Sequence, residues 1–461
     1  MADQKILIIG SGFAAAANLI HLVEAGIKPS QITIVGPGQL GMGNAYGCND
    51  DDFRLNVRAN LMWIWPDRRD DFGNWAKTHI KGDKDAVRSG GMFYRRRDFG
   101  RYVASCVDAA LTVSGGQDNA LTHYPQIVIK LGKIDQGGWQ VECSDGRLIK
   151  ADLVLLATGN PPPQWPCPIH GAKAQLPDHE NRLVQNPWNG RWLDHIPTQS
   201  RLAIIGGGLT ALDAVTALAR RDHHGPIFLL APHGSLPPEQ ADWVKQAPPS
   251  WPDAPRPSKI LRRFRSYLPD LPPEDSVWQQ AFEELRIDIN QRWQALSDCD
   301  QRRLIRRLGW LWSRYRYRAA PQTIAAANRL QQTGILEICH ARLGAIHLEM
   351  AGDDVSLRLY LHDAKTGARQ LAVDHVINCT GVGHDPLLAN LVTDGIGLPD
   401  AFGQGLRVNH QNEVINPEGQ AIPTLLLVGP AMASSLGDVV AASEISLASM
   451  RVAARLANQV R

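Results

Sequence analysis

The chain has no C-x-x-C pair. Its seven cysteines, Cys48, Cys106, Cys143, Cys167, Cys299, Cys339 and Cys379, are odd in number and scattered over 461 residues. That pattern argues against a disulfide framework, a zinc knuckle and a dithiol redox centre. Long apolar runs are also missing: none approaches the ~20 residues of a membrane-spanning helix. The opening MADQKILIIGSGF carries no charged leader with a signal-type core, so the expected location is the cytoplasm, with no membrane partner. Charge of one sign is absent too, since 48 Lys and Arg face 46 Asp and Glu for a formal +2. A general nucleic-acid or membrane-surface binder is therefore not expected, and any such contact has to come from a local patch. With 44% hydrophobic and 20% charged residues the composition is ordinary and globular. At ~150 residues per domain the length suggests about three packing units.

What is present is an internal repeat. KILIIGSGFAAAANLIHLVEAG (Lys5 to Gly26) and RLAIIGGGLTALDAVTALARR (Arg201 to Arg221) share one plan: an apolar run of strand length, glycines, then an Ala-rich stretch with helical spacing. Each continues into a further β-branched or apolar run, ITIV at Ile32–Val35 and PIFLL at Pro226–Leu230. Each half then shows alternating runs and a strand ending in T-G, at Thr158-Gly159 and Thr380-Gly381. Continuous apolar strands suit a parallel sheet covered on both faces. The expected fold is α/β: two Rossmann-like dinucleotide-binding domains, each a parallel sheet with a β-meander, plus a helical insert.

Gly10-Ser11-Gly12-Phe13-Ala14-Ala15 fits G-x-G-x-x-A between a strand and a helix. The first glycine permits the tight turn, the second lets backbone approach a pyrophosphate, and the small Ala15 packs helix on strand. The phosphate belongs at the helix N-terminus, where free N–H groups and the dipole favour negative charge. Gly206, Gly208, Leu209 and Thr210 repeat the fingerprint. The acid that usually ends the second strand and binds ribose is missing in both units. Gly36-Pro37-Gly38 follows ITIV, and Ala231-Pro232-His233-Gly234 follows PIFLL. With no carboxylate to repel a 2′-phosphate, the second unit leans to NADP, NAD staying open, with His233 a poor substitute for the usual Arg.

Two adenine dinucleotides facing one another imply hydride transfer from nicotinamide to flavin. Without C-x-x-C the disulfide-reductase branch drops out, leaving reaction with oxygen or with an organic acceptor.

The chain resembles the bacterial FAD–NAD(P)-binding oxidoreductases, near the flavin-dependent N-hydroxylating monooxygenases of lysine and ornithine. The marks are GSGFAA, GMGNAYG (Gly41–Gly47), RLNVRAN (Arg54–Asn60), FYRRRDFGRYV (Phe93–Val103), LATGNPPP (Leu156–Pro163), GGGLTALD (Gly206–Asp213), RYRYRAAP (Arg314–Pro321) and NCTG (Asn378–Gly381). The resemblance implies that Gly43, Asn56, Thr158 and Gly159 lie along FAD, with Thr380 and Gly381 on the NADP side. It also implies NAD(P)H-dependent FAD monooxygenation through a C4a-hydroperoxyflavin, with oxygen as co-substrate and N-hydroxylation as one outcome. A flavin reductase or dehydrogenase without oxygen insertion and a non-catalytic flavin-binding interaction protein remain as alternatives. The resemblance singles out no catalytic side chain, whose identity stays open, and no metal site is expected. The departures are Gly36, His233 and the tyrosines of RYRYR, where histidine is usual.

The expected boundaries are 1–165 and 375–461 for the FAD domain, 195–235 and 321–374 for the NAD(P) domain, and 236–320 for a Pro-rich, then helical, insert on the substrate side. Between Pro161 and Pro273 lie 20 of the 30 prolines, and APPSWPDAPRPSK reads as extended loop. From Arg256 to Arg318 there are 14 Lys and Arg against 8 Asp and Glu. The run RRLIRRLGWLWSRYRYR reads first as an amphipathic helix burying Leu304, Ile305, Leu308, Leu311 and Trp312. It reads second as a site for an anionic or carrier-protein-bound small-molecule substrate, with Arg314, Arg316 and Arg318 as ligands, and last as a nucleic-acid surface. Trp63 and Trp65 read as core packing or as pocket wall near the flavin, on the substrate side. Gly429 and Asp438 precede a terminal helix whose N-terminus is expected to face the flavin. His223-His224 reads as a surface turn.

Overall fold

The computed structural model describes residues 4–88, 91–113, 120–135, 137–171, 179–243, 257–268, 270–351, 354–403 and 405–460. The extended segment expected around 247–259 therefore lies largely outside the described residues.

Two parallel sheets carry the repeat. In the first unit the order is Glu413–Ile415, Ala421–Leu427, Leu153–Leu156, Ile6–Ile9, Ile32–Val35, Thr122–Tyr124, parallel except for the first pair. In the second it is Leu183–Val184, His375–Asn378, Leu202–Ile205, Ile227–Leu230, Leu336–Cys339, parallel throughout. The central strands Ile6–Ile9 and Leu202–Ile205 are buried at every residue, as helices on both sheet faces require. Antiparallel ribbons complete each unit: Val128–Lys133, Trp139–Cys143 and Leu148–Ala151 in the first, Ala341–Ala351, Asp354–Asp363 and Gly367–Val373 in the second.

Pairing corrects two expected boundaries. His375–Asn378 pairs in parallel with Leu202–Ile205, so it belongs to the second unit and not to the first. Leu183–Val184 joins that sheet as well, ahead of 195. The first unit resumes after these strands, with Ala421–Leu427 returning to pair with Leu153–Leu156.

The insert interrupts the connection between Ile227–Leu230 and Leu336–Cys339. It consists of helices Pro257–Tyr267, Ser276–Leu285, Ile289–Gln294 and Asp298–Arg316. The first was not expected from so proline-rich a stretch, but Pro257 opens it, where the missing N–H costs no helical bond. The neck is laced by backbone hydrogen bonds from Gln240 N to Ala319 O (2.9 Å) and from Ala319 N to Pro238 O (3.0 Å). Helix Asp298–Arg316 is amphipathic but shallowly seated. Leu304, Leu308, Leu311 and Trp312 are half-buried and Ile305 is 44% exposed, so the expected burial of these five is only partly realised.

Candidate active site

The two glycine crossovers are near copies at atomic detail. Gly10 has φ +121° and a Cβ there would meet Ala157 O at 2.1 Å; Gly206 has φ +111° and its Cβ would meet Cys379 O at 2.4 Å. Gly10 N donates to Val35 O (2.7 Å) and Gly206 N to Leu230 O (3.0 Å). Even the strand starts match: Lys5 N donates to the Asp152 carboxylate and Arg201 N to that of Asp374, both at 2.7 Å. Helices Phe13–Glu24 and Leu209–Arg220 start at Gly12 and Gly208 with no side-chain cap and no acid in the first turn. Both N-termini are thus left for an external anion.

The crossovers open on one cleft of about 1490 Å³ between the units and the insert. An ordinary ligand pocket holds about 300–1,000 Å³, so this volume suits more than one large ligand. Gly10, Gly12, Phe13, Gly43, Asn56, Thr158 and Gly159 line its first side, and Gly206, Gly208, Leu209, Thr210, His233, Thr380 and Gly381 its second. The GMGNAYG loop lies against the first crossover: a Cβ on Gly43 (φ +52°) would meet Gly12 Cα at 2.8 Å. Thr158 Oγ1 is buried with no hydrogen-bond partner, an orphan that a ligand in the cleft would satisfy. These features fit a dinucleotide against the first crossover.

The missing ribose acid has a steric cause. A Cβ on Gly36 would lie 2.5 Å from both Gly10 C and Ser11 N, so the tight first turn admits no side chain there. Gln39, exposed and lining the cleft a turn later, offers an amide in its place.

Other expected site residues fall outside. Ala15 is fully buried behind the loop. Trp63 is buried in packing, and Trp65 donates its Nε1–H to the Glu24 carboxylate (2.9 Å) with Arg68 3.5 Å above its ring, so neither lines the cleft. Gly429 packs near Ala14 while its neighbour Pro430 faces the cleft. Asp438, Arg316 and Arg318 join a buried ion network instead. Asp438 accepts from Arg286 Nε (2.7 Å) and Arg316 Nε (2.7 Å), and Glu283 accepts from Arg318 (2.8 Å) and Arg286. Burial pushes the Asp438 carboxyl up, but Arg286 and Arg316 outweigh it and hold the group below the usual carboxylate range. Of the three arginines expected as substrate ligands, Arg314 alone lines the cleft. His223 is buried, not part of a surface turn, while His224 is exposed. No cluster of three or more His, Cys, Asp or Glu with metal-binding geometry occurs among the described residues.

The sequence reading missed Arg342, Trp310 and Arg96. Leu230 and Cys339 are register partners on adjacent parallel strands, so the residues following both strands meet at one sheet edge, where ligands gather in such folds. Arg342 lines the cleft there with His233. Burial, then the charges of Arg342 and His340, push the His233 imidazole below its ordinary value. His233 stacks on Trp310 of the insert, centroids 4.1 Å apart at 15°. Arg96 pairs with Asp213 at 2.6 Å across the units, and burial pushes the Asp213 carboxyl up to about 6 against that pull. Arg220 with Asp52 (2.7 Å) and Arg221 with Asp50 (2.6 Å) add further inter-unit bridges.

Residues 7–161 match the family model described as FAD-NAD(P)-binding. Among solved structures, L-lysine 6-monooxygenase from Pseudomonas syringae aligns with TM-score 0.64 at 16% identity, covering 99% of both chains. The chain has the two-dinucleotide-domain flavoprotein fold. Ornithine N-hydroxylase from Kutzneria sp. 744, described with reduced FAD, NADP+ and L-ornithine, shares this flavoprotein fold at TM-score 0.63 and 14% identity, covering 99% of each chain. Thioredoxin reductase from T. acidophilum shares it more distantly, at TM-score 0.52 and 12% identity over 100% of this chain and 99% of that one. A comparison with curated proteins returns no significant match. No helix among the described residues is long and apolar enough to cross a membrane.

Proposed function

We propose that this flavoprotein fold serves an NADPH-dependent FAD monooxygenase acting on a small substrate, with nitrogen, the atom implied by the ornithine N-hydroxylase relative, as the first candidate for oxidation. The observation that carries the reading is the pair of matched crossovers on one large cleft, closed on its third side by Trp310, Ser313, Arg314 and Tyr317 of the insert. FAD would rest on Gly10 to Phe13, Gly43, Asn56 and Thr158, and the nicotinamide dinucleotide on Gly206 to Thr210. Bound flavin supplies hydride acceptance and oxygen activation. The chain's own contribution is to orient both dinucleotides at helix N-termini and to exclude water with the insert. Cysteine chemistry of the reductase type is not favoured: all seven cysteines are free, and burial pushes the Cys48 and Cys379 thiols at the cleft upward, away from thiolate.

The decisive experiment is sequential. Purified protein takes up one FAD, NADPH bleaches it anaerobically, and admitted oxygen is consumed with product formed in a substrate screen by mass spectrometry. Failure to bleach supports a non-catalytic binder; bleaching with all oxygen recovered as peroxide for every substrate supports a reductase.

Arg342 is assigned to the 2′-phosphate, a role His233 fills poorly because its charge is suppressed. Replacing Arg342 by Gln removes a charge-assisted contact of about 1.5–3 kcal/mol. The expected result is a ten- to hundredfold rise in KM for NADPH, by the order of that energy, with NADH kinetics little changed; equal losses for both would refute the assignment.

A further inference from the structure

The described residues lining the cleft include no aspartate, no glutamate and no lysine. Its ionisable cations are Arg96, Arg191, Arg314, Arg342 and, when protonated, His233. Arg96 is paired with Asp213. Arg342 lies with His233 at the edge of the second sheet, beside the expected adenosine end, and Arg191 is exposed on the rim. Arg314 remains. It is half-buried, its Nε is buried with no hydrogen-bond partner, and it has no ion pair among the described residues.

The position of Arg314 is informative. On helix Asp298–Arg316, Trp310 stacks on His233 of the second unit, while Arg316 pairs with Asp438 just ahead of the terminal helix of the first unit. Arg314 lies between these two anchors, one turn beyond Trp310 and on the same face as Ser313 and Tyr317, which also line the cleft. The helix therefore spans from the expected adenosine end towards the flavin end, with one uncompensated guanidinium between. A net cationic ligand entering here would meet no carboxylate and would be repelled; a planar oxyanion would find a fork matched to it.

We propose that the substrate of this cleft is an organic anion whose carboxylate or phosphate is held by Arg314, and that net cationic amines are excluded. The proposal rests on the flavoenzyme reading above and narrows it. It sets this cleft apart from those of the lysine and ornithine enzymes that share the fold.

The test is a charge ladder of linear amines and acids: cadaverine, lysine (the cadaverine chain with one added carboxylate carbon), 5-aminopentanoate and glutarate, with methyl phosphate added to compare phosphate with carboxylate. Binding to FAD-reconstituted protein is followed by perturbation of the flavin spectrum and by calorimetry. Glutarate is expected to bind at least about tenfold more tightly than cadaverine or lysine, the loss expected for one charge-assisted contact. Arg314→Gln should abolish that preference and Arg314→Lys should restore part of it, with NADP+ affinity unchanged in both. Tighter binding of lysine or cadaverine, or an equal loss of NADP+ and glutarate affinity in Arg314→Gln, would overturn the proposal. Failure of the underlying reading would show separately, as protein that takes up no FAD at all.

Discussion

Gly10→Ala is expected to yield a colourless protein, and Gly206→Ala a yellow one that NADPH no longer bleaches. At Gly10 the added methyl would sit 2.1 Å from the Ala157 carbonyl oxygen with φ at +121°. Backbone strain of this kind costs about 1–3 kcal/mol, and the clash must be relieved by moving the strand end that carries Thr158. That movement displaces the pyrophosphate cradle, so FAD retention, read as the ratio of flavin to protein absorbance, should fall to near zero. The matching clash at Gly206, 2.4 Å from Cys379 O, acts on the other sheet. FAD content should then persist while anaerobic reduction by NADPH slows by orders of magnitude. If both variants lost colour equally, or neither did, the division of labour between the two crossovers would be wrong.

Asp438→Ala should destabilise the protein by about 3–5 kcal/mol, the cost of leaving buried charge unpaired. The carboxylate is 4% exposed and serves both Arg286 and Arg316. Around it the insert grips the segment leading into the terminal helix: Trp293 Nε1 donates to Ser434 O (3.0 Å), Gln294 Nε2 to Leu436 O (3.1 Å), and Asp438 N to Asn290 Oδ1 (2.6 Å). Denaturant unfolding followed by tryptophan fluorescence measures the loss. The pH dependence has a definite sign. Glu283 and Asp438 are both held below the usual carboxylate range, where burial is outweighed by Arg286 and Arg318 for the first and by Arg286 and Arg316 for the second. Their stabilisation is therefore present above the unfolded carboxylate value of about 4 and disappears as pH falls through the folded values. The difference between wild type and Asp438→Ala should shrink in acid; a difference independent of pH would show that the network is not what Asp438 supports.

Much of the architecture was readable from the chain because its determinants are local. A strand, a glycine turn and an Ala-rich helix follow one another within about twenty residues, and the same order recurs at Arg201. The cleft edges made by single loops were readable for the same reason. What escaped depends on partners distant in sequence. Arg316 and Asp438 are 122 positions apart and Arg286 and Asp438 are 152 apart, so Asp438 looked like a flavin neighbour and Arg316 like a substrate ligand. His233 seemed a lone substitute for arginine because Arg342 reaches the same sheet edge only through strand register. Trp63 and Trp65 were ambiguous in sequence, since an aromatic pair packs equally well in a core or on a pocket wall. The absent ribose acid was visible as an absence, but its cause, the backbone of Gly10 and Ser11 against Gly36, exists only in three dimensions.

The laced neck of the insert bears on how such proteins diversify. Because the chain enters the insert at Pro238 and leaves it at Ala319 over adjacent backbone, the segment between can be exchanged like a cartridge without disturbing either strand order. A transplant from a relative would inherit new selectivity only if it also brought residues able to clasp the stretch from Ser434 to Asp438. Chimeras lacking that clasp should fold as two sound halves whose chemistry is poorly aimed.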